Sequence, residues 1–254
     1  MVDLKTEPEI EAMAAAGAVV AEALGAVFEH AKPGRTTAEL DKIAAEVLAR
    51  HGADSPFLDY HPSWAPSPFP AVLCTSVNDA VVHGIPTGEV LADGDLVSVD
   101  FGATLRGWCG DAAGSFIIGT AGPQDAALIE ATDAALAAGI AAARPGNTLG
   151  DVGYAIEKVA RSAGYGMLAH HGGHGIGRTM HEDPHVPNEG HPRKGMTLRP
   201  GLVIAIEPML IADGTDHYTH DSDHWTLRTA TDARAAHSEH TVAVTRDGAR
   251  ILTC

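Results

Sequence analysis

The chain has 254 residues, of which 45% are hydrophobic and 20% charged. This composition can build a substantial apolar core and excludes an intrinsically disordered chain. Its 33 acidic and 17 basic residues give a net charge of -16, which argues against nucleic acids and anionic membranes as partners. The cysteines, Cys74, Cys109 and Cys254, are too scattered for a disulfide framework or structural zinc.

The N-terminal residues carry acidic side chains, among them Asp3 and Glu7, where a secretory signal carries basic ones followed by an apolar run. The most apolar early stretch, residues 12–28, is rich in alanine and contains Glu22. We expect it to be too short and too weakly hydrophobic to span a bilayer. The protein is therefore expected to be cytoplasmic.

A helix pair is predicted in each half of the chain. Residues 8–30 favour an amphipathic helix that Pro33-Gly34 ends, and a second helix follows to about His51. The phrase at residues 31–36 returns 112 positions later, after another alanine-rich helix. The repeated context predicts an internal duplication. The expected pseudo-repeats lie at about 8–120 and 121–250 of a single domain, 1–254.

After each helix pair the hydrophobic pattern changes to the period of two that is typical of strands. Strands are predicted at residues 71–82, 96–101, 109–118, 202–211, 225–228 and 240–244. Two helices followed by antiparallel strands, present twice, predict an α+β fold with pseudo-twofold symmetry and antiparallel sheets flanked by helices. A site that uses both halves is expected between the two sheets.

Asp100 lies in an otherwise apolar predicted strand, and a buried carboxylate needs a partner charge or a metal. Taken alone, it fits a structural ion pair as well as a metal ligand. Asp111 follows the turn-like residues 105–107, and a hairpin there would bring both carboxylates to one face. Neighbouring carboxylates repel each other unless one is protonated or a cation lies between them. The pair is therefore a candidate metal site.

Further candidate ligands lie in the second half. His174 stands among glycines, and His181 follows seven residues later. Glu207 closes an apolar run, and Glu239 opens the last predicted strand. Each residue alone is more often solvated or structural. Together with the aspartate pair, they indicate a divalent-metal centre.

Several of these residues lie in segments with a recognisable order and approximate spacing. The segments are Val82-His83-Gly84-Ile85-Pro86, Val99-Asp100-Phe101-Gly102-Ala103, Gly110-Asp111, Gly173-His174-Gly175-Ile176-Gly177 through His181-Glu182-Asp183-Pro184, Ile206-Glu207-Pro208-Met209 and Glu239-His240-Thr241. The ordered set resembles the type I methionine aminopeptidases of peptidase family M24, from about residue 7 to the C-terminus. The resemblance implies the duplicated pita-bread fold, which agrees with the repeat.

By this resemblance, five side chains hold two divalent metal ions. Asp111 and Glu239 would bridge the two ions. Asp100 would hold one ion, and His174 and Glu207 the other. Four carboxylates and one imidazole form an oxygen-rich site that favours Mn, Fe or Co over structural zinc. The ligands leave the physiological metal open.

The resemblance also implies the reaction, which is removal of the initiator methionine from nascent proteins with a small second residue. Glu207 would shuttle a proton for a water that bridges the metals. His181 would stabilise the tetrahedral intermediate, and His83 would contact the backbone amide beyond the cleaved bond. The family's methionine-pocket positions are matched by Tyr60, Cys74 and Trp225. Ordinary packing would also explain those three residues.

The sequence departs from the family pattern in three places. Segment 61–70 is longer and richer in proline than the usual bacterial segment before Cys74. Met180 stands where an aromatic residue is common. Residues 213–224 form an unusual polar loop with three histidines. These differences affect the expected substrate preference, and they leave open whether the chain is a housekeeping or a specialised paralogue.

Three other functions fit parts of this sequence. A proline-specific aminopeptidase or dipeptidase of the same fold would share the ligands, but such enzymes usually carry a large extra N-terminal domain. A non-catalytic binding protein of this fold would typically lose ligands, and all five are present. A metal-storing protein would use the 15 histidines, which form no compact tract. The expected partners are nascent N-termini at the ribosome, and the expected state is a monomer.

Overall fold

The computed structural model describes residues 2–254; Met1 lies outside the described residues. Within this range the helices are α1 (Glu7–His30), α2 (Thr37–His51), α3 (Pro123–Ala142) and α4 (Leu149–Ser162). Side-chain caps mark the first turns of α2 and α4. Thr36 and Glu39 form a capping box before α2, and Thr148 and Asp151 form one before α4. Gly52 ends α2 in the left-handed conformation.

The strands are β1 (Cys74–Val77), β2 (Ala80–Val82), β3 (Leu96–Leu105), β4 (Trp108–Ile117), β5 (Gly166–Met167), β6 (Gly172–Gly175), β7 (Glu182–Pro187), β8 (Val203–Ile206), β9 (Met209–Ile211), β10 (Tyr218–His220), β11 (Leu227–Thr229), β12 (Ala235–His237), β13 (Glu239–Thr245) and β14 (Gly248–Ile251). The main sheet has the order β1-β3-β4-β13-β8-β6-β7, with β14 on β13. Two three-stranded sheets, β10-β11-β2 and β12-β9-β5, lie beside it. Every strand pair is antiparallel.

The two halves repeat each other down to single hydrogen bonds. Gly34 donates its N–H to the carbonyl of Leu91 at 2.8 Å, and Gly146, 112 positions later, donates to that of Leu198 at 3.0 Å. Both glycines have positive φ angles, 91° and 89°. In the main sheet β3-β4 from the first half meets β13-β8 from the second. The predicted α+β pita-bread arrangement is confirmed, with its two halves joined at β4 and β13.

Several strand predictions were wrong in detail. The strand predicted at 71–82 is broken by a turn at Asn78, whose φ of 59° cannot continue a strand. The strand predicted at 202–211 is broken at Glu207-Pro208, because proline has no N–H for the ladder. The strands β5, β6, β7, β10, β12 and β14 were not predicted. Most are short, and β6 is mainly glycine, so they lack a hydrophobic alternation.

Helix α1 packs against α2, β3 and β4. It is long and apolar enough to cross a membrane by length and composition alone, so the expectation that residues 12–28 are too short and too weakly hydrophobic was wrong. Half of its most apolar window is buried inside the fold, as in the core helix of a globular protein. Gly17 permits a close approach of α1 to the C-terminal segment, since a Cβ there would lie 1.9 Å from the carbonyl oxygen of Leu252.

Candidate metal centre and catalytic pocket

The β3–β4 hairpin places the two aspartates side by side. Its turn, Arg106-Gly107, has φ angles of 52° and 76°, the positive values of a two-residue hairpin turn. Asp111 pairs with Gly102, two residues beyond Asp100, so both carboxylates lie on one face of the sheet. The predicted hairpin is therefore confirmed. The other face, with Val99, packs into the core beneath α1 and α2.

The second half supplies a histidine and two glutamates to the same face. His174 lies in β6, and its Nε2 is 3.7 Å from Asp111 Oδ2 and 3.7 Å from Glu207 Oε1. Glu207 directly follows β8, and Glu239 is the first residue of β13. The flanking glycine explains how β6 comes so close: a Cβ on Gly173 would lie 2.0 Å from the carbonyl oxygen of Ala205.

The halves are joined directly at this site. Thr241 in β13 accepts the backbone N–H of Asp111 at 2.9 Å and donates its hydroxyl to the carbonyl of the same residue at 2.8 Å. Around it, β4 and β13 pair at Glu239↔Ala113 and His240↔Ala112. Asp111 and Glu239 are thus held on opposite sides of the junction and face the same cavity.

The buried carboxylates need a cation. Asp111 and Glu239 are 3% and 1% exposed. Within residues 2–254, three carboxylates each have one oxygen that is buried without a hydrogen-bond partner: those of Asp100, Asp111 and Glu239. Burial, and then the charges of Asp111 and Glu207, raise the pKa of Asp100 and of Glu239 well above the usual range. Unpartnered, mutually repelling oxygens at this depth fit divalent cations.

Among residues 2–254, two groups of three donors lie close enough to hold an ion each, and they share Glu239. One consists of Asp111, His174 and Glu239, and the other of Glu207, His237 and Glu239. Asp100 belongs to neither group, but it lies against Asp111. His237 was missed by the sequence analysis. Its position two residues before Glu239, on the same face of an extended chain, was the available signal.

A cavity of about 460 Å³ opens in front of the donors. The predicted pocket residues Tyr60, Cys74 and Trp225 all line it. Tyr60 and Trp225 form an aromatic wall of the cavity together with three aromatic residues that the sequence analysis missed: Phe57, Trp64 and Phe69. A larger cleft, of about 730 Å³, lies between α3 and β14 and is lined by other residues.

The proline-rich segment 61–70 forms part of the aromatic wall. The rings of Trp64 and Phe69 lie 5.0 and 5.2 Å from that of Trp225, both edge to face. The indole N–H of Trp225 donates to the carbonyl of Ser67 at 3.1 Å. This segment therefore closes one side of the cavity.

His83 and His181 flank the donors. His83 directly follows β2 with a φ of 60°, and its Nδ1 is buried without a partner among the described residues. Burial, and then nearby histidines, lower the pKa of His83 to about 4. His181 stands at the mouth of the cavity, with its ring centre 4.4 Å from that of His174 and 5.3 Å from that of Tyr60. Its pKa shifts downward too, so both rings are neutral at pH 7.

A buried ion pair fixes the loop that carries His181. The side chain of Lys5 is 2% exposed, and its Nζ lies 2.6 Å from Glu182 Oε2. The other oxygen of Glu182 accepts the backbone N–H groups of Arg178 and Thr179 at 2.8 and 3.2 Å. The N-terminal segment is thus connected to the residue next to His181.

The lowered pKa of His83 predicts acid sensitivity of the fold. Between about pH 6.5 and 4 the unfolded chain binds a proton at this histidine that the folded protein does not, so stability falls as the pH falls. By pH 5 this costs about 2 kcal/mol. A His83→Gln variant should therefore lose less stability than wild type between pH 7 and 5, by urea unfolding of metal-free protein. The exposed-site control His191→Gln should behave like wild type, and equal losses in all three proteins would contradict the prediction.

Known proteins resemble the whole chain. The model of metallopeptidase family M24 matches residues 11–246. "Methionine aminopeptidase 1" of Mycobacterium tuberculosis is 53% identical over 100% of this chain and 95% of its own. "Methionine aminopeptidase" of Aquifex aeolicus is 44% identical over 99% and 98%.

Solved structures agree. The methionine aminopeptidase of Rickettsia prowazekii superposes with a TM-score of 0.95 at 36% identity and covers 100% of both chains. The prolidase of Pyrococcus horikoshii has a TM-score of 0.77 at 22% identity, a likeness of fold alone. The match covers 99% of this chain and 63% of the prolidase chain.

Proposed function

The chain belongs to the methionine aminopeptidases of metallopeptidase family M24, and on this premise we propose that it removes the initiator methionine from new polypeptides whose second residue is small. One observation carries the proposal: a buried carboxylate–imidazole cluster and an aromatic wall face each other across one cavity. The cluster is suited to peptide hydrolysis, and the wall to an apolar side chain.

The proposed metal ligands are Asp100, Asp111, His174, Glu207 and Glu239. Together they would hold two divalent ions, for which Mn, Fe and Co are the candidates. The unpartnered buried oxygens described above support this assignment. Bound ions would supply Lewis acidity, which polarises the scissile carbonyl and lowers the pKa of water.

The proposed metal centre explains a preference for chain ends. Four carboxylates converge on the cavity, and two divalent ions would balance their charge. The free α-amino nitrogen of a chain end would bind at this centre, whereas the nitrogen of an internal peptide bond has no available lone pair. The enzyme should therefore act on the first residue only.

Glu207 would transfer protons, and His181 would stabilise the developing negative charge. Glu207 is partly accessible from the cavity, and we assign it to take the proton of the attacking water on a carboxylate oxygen and to pass it to the leaving amine. His181, neutral at pH 7, has a ring N–H to donate to the carbonyl oxygen as negative charge develops there. His83 would hydrogen-bond the amide that follows the cleaved bond.

The aromatic wall would select methionine. A flexible thioether packs well against aromatic rings, and Tyr60, Trp64 and Trp225 present three of them. Cys74 adds a sulfur to the wall. Burial, and then the nearby carboxylates, raise the pKa of its thiol, so it stays uncharged. The space beyond the cleaved bond, near His83 and His181, would exclude a bulky second residue.

The assay that tests the proposal compares three peptides. Metal-stripped protein is incubated with Met-Ala-Ser, Met-Leu-Ser and an Ala-Pro peptide, with Mn, Fe or Co added back. We expect metal-dependent release of methionine from Met-Ala-Ser alone. Cleavage of the Ala-Pro peptide instead would favour the proline-specific alternative, and release of no amino acid with any metal would sink the proposal.

The setting of the reaction is also part of the proposal. We place the enzyme in the cytoplasm as a monomer that meets nascent N-termini near the ribosome. The acidic surface supports contact with the emerging chain rather than with nucleic acid or an anionic membrane.

A further inference from the structure

His237 has no role in the proposed mechanism, yet it lies at the metal centre. Its side chain is 2% exposed, and it lines the same cavity as the proposed ligands. Its Nε2 is buried and, among residues 2–254, has no hydrogen-bond partner. A buried ring nitrogen without a partner is costly, so this atom is expected to have a ligand in the working protein.

The distances around Nε2 are those of a shared ion rather than of hydrogen bonds. It lies 3.6 Å from Glu207 Oε2 and 3.9 Å from Glu239 Oε2, beyond hydrogen-bond reach. Two ligands that each lie about 2.1 Å from one ion are about 3.0 to 4.2 Å apart. The Nε2 of His174, a proposed ligand, has the same spacing of 3.7 Å from two carboxylates.

The backbone holds His237 firmly in this position. It ends β12, which pairs with β9 in the register His237↔Met209. The hydroxyl of Ser115 accepts its N–H at 2.9 Å and donates to its carbonyl at 2.8 Å. A donor fixed by strand pairing on one side and by β4 on the other is preorganised for coordination.

We propose that His237 is a sixth metal ligand, which with Glu207 and Glu239 holds one of the two ions. This inference rests on the proposed function and deepens it. It changes the donor set from four carboxylates and one imidazole to four carboxylates and two imidazoles. Imidazole suits Zn and Co better than Mn, so the second ring shifts the affinity of one site towards those ions.

The test measures metal binding directly. Metal-stripped wild type, His237→Gln and the exposed-site control His191→Gln are titrated with Zn²⁺ and Mn²⁺ against a competing chelator. We expect His237→Gln to weaken one of two Zn²⁺ sites by at least about tenfold, the scale on which even outer partners of ligands act. Its Mn²⁺ affinity should fall less, and His191→Gln should bind like wild type.

A measurement on unaltered protein guards against misfolding of the variant. NMR spectra of the histidine ring nitrogens, taken with and without Zn²⁺, should move Nε2 of both His174 and His237 to the position of coordinated imidazole. Unchanged Zn²⁺ affinity in His237→Gln, or an unmoved His237 resonance in Zn²⁺-loaded wild type, would overturn the inference. If wild type binds two ions and releases methionine in those cases, the proposed function stands; if it does neither, that function fails.

Discussion

Replacing Asp111 with asparagine should abolish methionine release and yet leave a folded, more heat-stable metal-free protein. The Asp111 carboxylate is 3% exposed, and its charge contributes to the raised pKa values of both Asp100 and Glu239. Removing it relieves repulsion among buried carboxylates when no cation is present. The same change removes a proposed bridging ligand. The activity should therefore fall while the stability of the metal-free protein rises.

The size of each effect can be estimated. Loss of the Lewis-acid contribution is worth several kcal/mol of transition-state stabilisation, so kcat/KM on Met-Ala-Ser should fall by about 10³-fold or more. The melting temperature of metal-free protein should rise, and the further increase on adding metal should become smaller than in wild type, because the donor group Glu207, His237 and Glu239 remains. Asp247→Asn, which removes a carboxylate from the exposed β13–β14 turn, serves as the control. An Asp111→Asn protein that metal stabilises as much as it stabilises wild type would show that Asp111 is not a ligand.

Replacing His181 with alanine should slow the chemical step while leaving metal binding intact. The ring stands at the cavity mouth beside His174, and its lowered pKa keeps it neutral, with one N–H to donate. Removing one such donor to a developing oxyanion costs about 10²- to 10³-fold in kcat. KM should change little, because the contact strengthens only as charge develops.

The controls separate this role from a structural one. His181→Gln retains an N–H donor and should recover part of the lost rate. His191→Ala, at an exposed histidine of the same half, should have wild-type kinetics. Metal titration should give the same stoichiometry in all three variants. A loss confined to KM, or a loss of bound metal in His181→Ala, would contradict the assigned role.

The sequence predicts the parts of the site that local patterns determine. Asp100 and Asp111 lie in strands whose side chains alternate between two faces, on either side of a glycine turn. Their shared face therefore follows from the hairpin. The repeated Pro-Gly phrase reveals the duplication because the same capping chemistry acts twice. These features require only the residues within a few positions of each other.

Other parts depend on contacts between distant segments. His237 reaches the centre because β12 pairs with β9 and because Ser115 holds its backbone, and neither contact leaves a trace in the local pattern. The pairing of Lys5 with Glu182 joins residues 177 positions apart. The proline content of segment 61–70 is visible in the sequence, but its packing on Trp225 is a tertiary contact.

The joint between β4 and β13 has a consequence for the lifetime of the protein in the cell. Carboxylates from both halves meet across this joint, and without a cation their burial costs free energy, as repulsion or as forced protonation. An ion bound there at a hundred times its dissociation constant would add about 2.7 kcal/mol to the stability of the fold. Metal starvation would then do more than silence the enzyme: it would raise the fraction of opened molecules exposed to cellular proteases and lower the enzyme's abundance.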